Sequence, residues 1–378
     1  MKNRLLSLDV MRGITIAGML LVNNPGAWGH IYPPLRHASW NGLTPTDLVF
    51  PFFMYIMGMS AYFSLKKYDN LVSWPVIYKI LKRTVILFAI GIGLVLLARM
   101  ISGVGKGELA WSSVFDFSNI RILGVIPRLA ICYGAGSLIA VFSGRFLKWL
   151  IVAILILYGV ILLLGNGFEF SENNIIAVVD RYVLGEAHMY TSNIDGVRMK
   201  FDPEGFLSTL PSIAHMLIGY QCGKVLLTSN DNGQRITKLM IIGTCLTFAG
   251  FLLAYCMPLN KKVWSPTFVL TTCGLACQLL GLLLYIIDVR GWKKWCPFFR
   301  DFGVNPLFMY VLGSVFSSIF GSMRIADSSW KAYYYDFVLT PLCMGDQTLA
   351  SLLYAVTFVC LVWIFAHILY KRKIYIKI

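Results

Sequence analysis

One histidine stands among residues that could put it to use. His37 lies in the run Arg36-His37-Ala38-Ser39-Trp40-Asn41-Gly42-Leu43-Thr44, with Asp47 shortly after it. Neutral imidazole suits proton transfer near pH 7, so His37 can serve as a general base or as a nucleophile. Asp47 could orient the ring or hold an acceptor's ammonium, and it could equally cap the helix that follows. Asn23 ends an apolar run at a similar depth, where its amide could donate to a developing oxyanion or close a helix.

Arg12, Arg121 and Arg128 are charged within apolar runs. There a charge costs roughly 2.5–3.5 kcal/mol on insertion scales and usually faces a pathway or a partner. Arg121 and Arg128 stand two helical turns apart, so one face about 10 Å long could neutralise phosphates. Arg12 pairs most simply with Asp9, three positions earlier. Arg83 suits an incoming phosphate or a plain charge bias at a membrane edge. Asp202 and Glu204 sit in an Asp-Pro-Glu-Gly run, where turn and helix-start chemistry competes with contact to a bound molecule.

These groups need a scaffold, and composition names it. The chain has 378 residues, 57% hydrophobic and only 13% charged, against about 25% charged in soluble domains. Ten apolar runs are long enough for helices crossing a ~30 Å hydrocarbon layer, at about 8–24, 47–66, 80–100, 121–142, 147–165, 207–227, 236–256, 267–287, 303–320 and 349–370. None shows the two-residue alternation of a membrane barrel. The expected fold is therefore all-α: one polytopic bundle spanning residues 1–378, with no linker to divide it. The first apolar run carries Asp9 and Arg12 and has no small-residue cleavage site, so it reads as a span and not a removed signal.

The net charge of +15 follows from topology. With the N-terminus inside, 20 of the 33 Lys and Arg fall inside, including Lys2, Arg4 and Lys377, and 10 outside; five of the 18 carboxylates, Asp69 among them, lie inside. This is the positive-inside pattern. It puts both termini in the cytoplasm and needs no nucleic acid. The nine cysteines form no Cys-x-x-Cys and no zinc-spaced cluster, so neither metal nor disulfide is expected, and Cys273 and Cys277 read as packing residues. Gly91, Gly93, Gly134 and Gly136 read as close helix contacts, and His30 and His215 as packing or interface residues. Three outer segments, 25–46, 166–206 and 321–348, are long enough to carry binding groups. In the first, Trp28, Tyr32 and Trp40 are expected at interfacial depth.

The His37 run, continued by Asp47-Leu48-Val49-Phe50-Pro51-Phe52-Phe53-Met54-Tyr55-Ile56-Met57-Gly58, closely resembles the segment of heparan-α-glucosaminide N-acetyltransferases that carries their active-site histidine. Leu8-Asp9-Val10-Met11-Arg12-Gly13-Ile14 resembles that family's first-helix motif, and Val22-Asn23 its active-site asparagine, with Asn24 competing for the role. Arg121-Ile122-Leu123-Gly124-Val125-Ile126-Pro127-Arg128-Leu129, Asp202-Pro203-Glu204-Gly205-Phe206-Leu207, Pro258-Leu259-Asn260-Lys261-Lys262-Val263-Trp264-Ser265 and Val304-Asn305-Pro306 extend the similarity along the chain.

The resemblance implies an acetyltransferase that uses cytoplasmic acetyl-CoA as co-substrate and acetylates an amino sugar, such as a terminal glucosamine of a glycan, on the other side of the membrane. It implies His37, Asn23 and Asp47 as catalytic residues, Arg121, Arg128 and Arg83 for CoA, and Asn41, Asp202, Glu204 and Asn305 for the acceptor. No Asn-x-Ser/Thr sequon occurs, which suits a bacterial inner membrane. A homodimer stays open. Two competitors are an O-acetyltransferase for a surface polysaccharide and a secondary transporter, which would need inverted repeats that the sequence does not display.

Overall fold

The computed structural model describes residues 5–68, 72–325 and 327–376; Lys2, Arg4, Asp69 and Lys377 lie outside the described residues. In lipid every backbone N–H and C=O must be satisfied internally, and the apolar runs accordingly fold as helices. The first half contains α1 (Leu6–Asn23), α2 (Val49–Leu65), α3 (Trp74–Lys106), the single turn α4 (Trp111–Val114), α5 (Val125–Ser143), α6 (Leu147–Leu164) and the short α7 (Ile175–Leu184). The second contains α8 (Thr209–Thr228), α9 (Asn232–Leu253), α10 (Pro266–Leu283), α11 (Cys296–Val304), α12 (Pro306–Ser322), the turns α13 (Trp330–Tyr333) and α14 (Thr340–Leu342), and α15 (Gln347–Lys371).

Seven helical stretches among the described residues are long and apolar enough to cross a bilayer, or eight if the α11–α12 pair, bent by 89°, is one span. The difference from ten has physical causes. Val125–Leu164 runs on through the turn Gly144–Phe146 and counts as one stretch where the sequence suggests two. α8 is long enough but carries His215, Gln221 and Lys224, and most of it is buried by its neighbours. A helix enclosed by helices has little lipid to satisfy.

α1, α2 and α10 are 61% buried over their apolar windows, against 11% for α3 and 17% for α9, which lie at the rim. The outer faces of α6 and α9 expose Trp149, Ile156, Leu164, Phe248 and Leu252, an apolar exterior that fits lipid. α2 and α8 touch backbone to backbone: a Cβ on Gly58 would meet the Met216 carbonyl at 2.0 Å, and one on Gly219 would meet that of Tyr55 at 2.1 Å. Small residues permit this approach where lipid supplies no hydrophobic drive for association. Gly91, Gly134 and Gly136 abut Pro127, Thr84 and Met216, while Gly93 faces open space.

Two small hairpins accompany the helices. β1 (Thr191–Ile194) and β2 (Val197–Lys200) pair antiparallel across Asp195-Gly196, both with positive φ (50° and 85°), the conformation that a two-residue hairpin turn demands. A second small hairpin joins β3 (Arg324–Ile325) to β4 (Ser328–Ser329).

The segments expected outside gather at one end of the bundle. The Trp40 indole N–H donates to the Phe168 carbonyl (2.6 Å), Gly42 N–H to Leu259 O (2.7 Å) and Gly26 N–H to Ser351 O (3.1 Å).

Candidate active site

Asp47 organises the first cluster. It belongs to a single 3-10 turn, Pro45–Leu48, leading into α2. Its Oδ2 accepts from the backbone N–H of Thr44 (3.1 Å), the Thr44 hydroxyl (3.0 Å) and the backbone N–H of Ala38 (3.1 Å). Its Oδ1 lies 2.7 Å from His37 Nδ1. The side chain is 1% exposed, so a buried carboxylate with fixed partners holds one edge of the imidazole. The capping and orienting roles expected as alternatives coexist in one residue. The His37 side chain is 43% exposed, and its Nε2 has no hydrogen-bond partner among the described residues.

A third group completes this cluster. Lys261 Nζ lies 3.1 Å from His37 Nδ1 and 3.4 Å from Asp47 Oδ1. It comes from the turn before α10, which docks on the His37 loop through Gly42 N–H to Leu259 O and through the Asn260 amide, whose Nδ2 donates to Asn41 Oδ1 (3.0 Å). Asn41 is thus engaged with protein. Burial pushes the Lys261 amine below the ordinary lysine range, and the charges of Asp47 and Glu204 only partly offset it. The sequence motif 258–265 was visible, but a lysine in a polar loop gives no sign of its contacts.

Asn23 is exposed at the end of α1, whereas Asn24 is buried and its amide donates to the Leu20 carbonyl (2.8 Å). Of the two, Asn23 has the open amide. Trp28 and Tyr32 are exposed, but Trp40 packs inward, its ring 5.3 Å from Phe201 and 5.2 Å from Phe170. It anchors the loop to the protein.

The second cluster joins residues expected to serve different ligands. Arg121 Nε donates to Asp202 Oδ2 (2.9 Å), and its Nη2 to Asp202 Oδ1 (2.5 Å) and Glu204 Oε2 (2.6 Å). Burial alone would raise the Glu204 carboxyl, but the charge of Arg121 overrides it and holds the group below its usual range. α5 begins at Val125, after Gly124 in extended backbone (φ −168°). Arg121 therefore precedes the helix and shares no helical face with Arg128, correcting the spacing argument. Arg128 is fully buried, donates to the Gly205 carbonyl and the Ser208 hydroxyl, and lies over the Trp264 ring at 5.2 Å. Its Nε and Nη1 have no partner among the described residues. Both arginines thus reach the Asp202–Ser208 turn from the start of α5.

Asp180, which the sequence reading did not single out, is fully buried beside this turn and accepts from Leu207 N–H (3.0 Å). Burial pushes its carboxyl up to about 7.

Arg121 also borders a cleft of about 520 Å³ between α3, the start of α5 and α12, shared with Arg99, Tyr310, Ser314 and Ser318. A narrower cavity of about 90 Å³ is lined by Arg12, Ser60, Arg83 and Pro306. Ile126 borders both. The Arg83 guanidinium stacks at 4.5 Å on Tyr133, with Nε unpartnered among the described residues. Arg12 bonds to Asp9 (3.1 Å), as expected, and also to the Ser60 hydroxyl (2.7 Å). Asn305 sits at the α11–α12 elbow, just after Gly303, which abuts Asp9 and Gly13 of α1. Its amide donates to Ile374 O (2.9 Å) and accepts from Ile376 N–H (2.9 Å), tying the C-terminal tail to the elbow. No group of three or more His, Cys, Asp or Glu suited to a metal occurs among the described residues.

Residues 4–257 match the family model described as heparan-alpha-glucosaminide N-acetyltransferase, catalytic. The chain is also similar to the heparan-alpha-glucosaminide N-acetyltransferases of Homo sapiens, at 29% identity over 99% of this chain and 60% of that protein, and of Mus musculus, at 27% over 100% and 61%. It spans about three fifths of the length of these curated relatives.

Proposed function

Since the chain belongs to the heparan-α-glucosaminide N-acetyltransferase catalytic family, we propose that it is a membrane-bound acetyltransferase that moves acetyl from cytoplasmic acetyl-CoA to the amino group of a glucosamine-type sugar. The transfer takes place at the extracytoplasmic end of a ten-span bundle with both termini in the cytoplasm. The observation that carries this reading is the His37–Asp47 pair: a buried carboxylate 2.7 Å from Nδ1 of a ring whose Nε2 is open.

In this reading Nε2 takes the proton from the acceptor amine as its nitrogen attacks the thioester carbonyl. The C–N bond forms, the C–S bond breaks, and the CoA thiolate leaves to be protonated. Asn23, with its exposed amide, donates to the oxyanion. Asp202, Glu204 and Asn41 frame the acceptor side. Arg83 and Arg12, lining the narrow cavity, suit the phosphates of CoA, since guanidinium groups recognise phosphate by charge-assisted hydrogen bonds. Arg121 lines the larger cleft, Arg128 braces the Asp202–Ser208 turn from within the protein, and Asn305 holds the α11–α12 elbow. Residence in a bacterial inner membrane belongs to the same proposal.

The test uses purified protein, acetyl-labelled acetyl-CoA and a panel of amino sugars and their N-blocked counterparts. Label is expected on the free amines and absent from the blocked ones. Label on hydroxyls only would replace N-acetylation by O-acetylation, and no transfer to any acceptor would refute the reading.

A further inference from the structure

The contact between Lys261 and His37 poses a proton-counting problem. Nδ1 can carry at most one hydrogen, yet it lies 2.7 Å from Asp47 Oδ1 and 3.1 Å from Lys261 Nζ. If the ring hydrogen is on Nδ1, it points at the carboxylate, and an ammonium beside it has nothing to donate to on the ring and is left with Asp47 Oδ1 at 3.4 Å, longer than an ordinary N–H···O hydrogen bond. If Lys261 donates to Nδ1, the ring hydrogen must be on Nε2. Asp47 then faces a bare nitrogen and depends on a second hydrogen from Lys261, whose Nζ is 3.4 Å from Oδ1. The two arrangements exclude each other.

Lys261 is not a loose surface chain. Its turn is closed by Asn260 N–H to the Ser265 hydroxyl (3.1 Å), Val263 N–H to Asn260 Oδ1 (3.1 Å) and Trp264 N–H to Lys261 O (3.1 Å). Trp264 is held in the left-handed region (φ 52°) while almost fully buried, a costly conformation for a bulky residue that persists only where surroundings enforce it. The Lys261 side chain is 17% exposed. The charged and titratable groups around it are His37 and Asp47 on the loop before α2, Glu204 from the turn before α8, itself bound by Arg121, and the adjacent Lys262.

We infer that Lys261 is a positioning residue that sets the tautomer of His37. With Lys261 neutral, the hydrogen sits on Nδ1 and Nε2 is a free base; with Lys261 an ammonium bonded to Nδ1, Nε2 carries the hydrogen and is a donor. Passing from the second state to the first, Lys261 gives a proton to Nδ1 and Nε2 releases its own to solvent, so one proton leaves overall. The burial that lowers the Lys261 amine brings its neutral form to a lower pH than free lysine allows. The base form of His37 is thereby gained as pH rises. The catalytic consequence rests on the acetyl-transfer reading, but the tautomer control does not.

The test has two arms on the full chain in lipid nanodiscs. With ¹⁵N-labelled histidine there are five rings to resolve, each with two ring nitrogens, and His37→Ala identifies the relevant pair of resonances. The wild type is expected to move from Nε2–H to Nδ1–H with rising pH, Lys261→Met to show Nδ1–H throughout, and Lys261→Arg, charged at every accessible pH, to hold Nε2–H. One tautomer at all pH values in all three proteins overturns the inference. In the transfer assay Lys261→Arg should lose about 100-fold or more, whereas Lys261→Met should keep more activity than Lys261→Arg and lose the rise with pH. A lysine needed only as a cation gives the reverse order, which also overturns it. If the wild type transfers no acetyl, the acetyltransferase reading fails while the tautomer arm still decides; melting temperatures identify any variant that fails to fold, with Lys261→Gln replacing Lys261→Met.

Discussion

Arg121 holds Asp202 through two parallel hydrogen bonds, Nε to Oδ2 at 2.9 Å and Nη2 to Oδ1 at 2.5 Å, joining residues 81 apart in the chain. Asp202 is fully buried. Removing the arginine would strand a buried charge, a loss of about 3–5 kcal/mol in comparable pairs. Arg121→Ala is therefore expected to lower the melting temperature and folded yield, with acetyl-CoA and acceptor requirements rising together. Adding Asp202→Asn should restore part of the stability, as thermal unfolding in detergent can measure. A folded Arg121→Ala enzyme with only its acetyl-CoA requirement raised would return Arg121 to the CoA site.

Arg83 gives the contrasting case. No carboxylate bonds it among the described residues, and it stacks on Tyr133 beside the narrow cavity. Loss of a charge-assisted contact costs about 1.5–3 kcal/mol. Arg83→Ala should then raise the acetyl-CoA requirement roughly ten- to hundred-fold and leave the acceptor requirement and melting temperature nearly unchanged. Steady-state kinetics with each substrate varied in turn distinguishes the outcomes.

The contrast shows what the sequence carried and what it did not. His37 and Asp47 were legible because ten residues separate them and one loop folds both onto the same turn. Lys261 was not: its contact with His37 spans 224 residues, and a lysine in a polar loop normally means solvent. Arg121 was misjudged through a helix boundary. The apolar run starts near it, but Gly124 stays extended and helix α5 begins one residue later. The hairpin at Asp195-Gly196 had a readable turn signal, yet its strands are only four residues each and lay in a segment read as an outer loop. The α8 run at 207–227 was legible as a span, although the helix is screened from lipid by other helices and need not be as apolar as a span at the rim.

Orientation can be measured directly. The outer segments meet at one end of the bundle, so a single label decides the side for all of them. A cysteine introduced at Asn193, the exposed position of strand β1, in a background without the native cysteines, is expected to react with an impermeant maleimide in intact cells. A C-terminal phosphatase fusion should be inactive. Protection at Asn193 together with an active fusion would invert the topology.

Asp180 makes stability depend on pH. Its carboxyl is raised by burial to about 7 in the fold, whereas an unfolded aspartate titrates near 3.9. Between these values the native state binds the extra proton, so stability falls as pH rises from about 4 to about 7 and the full penalty is present above that. The melting temperature of the wild type should therefore drop between pH 5 and pH 8. Asp180→Asn should flatten that slope and be the more stable protein at pH 8. Equal slopes for the two would show that Asp180 is not the group responsible.

His37 bears the chemical step in this scheme, and two substitutions divide its roles. Removing a general base typically costs about a hundred- to ten-thousand-fold in rate. His37→Ala leaves Asp47 bonded by Thr44 and Ala38, so the variant should fold and bind acetyl-CoA while losing transfer to that extent. Asp47→Asn keeps the size and the packing, but its amide can donate to Nδ1 and drive the ring hydrogen to Nε2. It should lose transfer nearly as fully with His37 intact. Incubating the wild type with labelled acetyl-CoA and no acceptor then separates two routes. Label retained on His37 means the imidazole carries the acetyl group, and no retained label means direct attack by the amine with both substrates bound. Wild-type transfer by His37→Ala would remove the histidine from the mechanism and leave the base to be sought among Asp47, Asp202, Glu204 and Lys261.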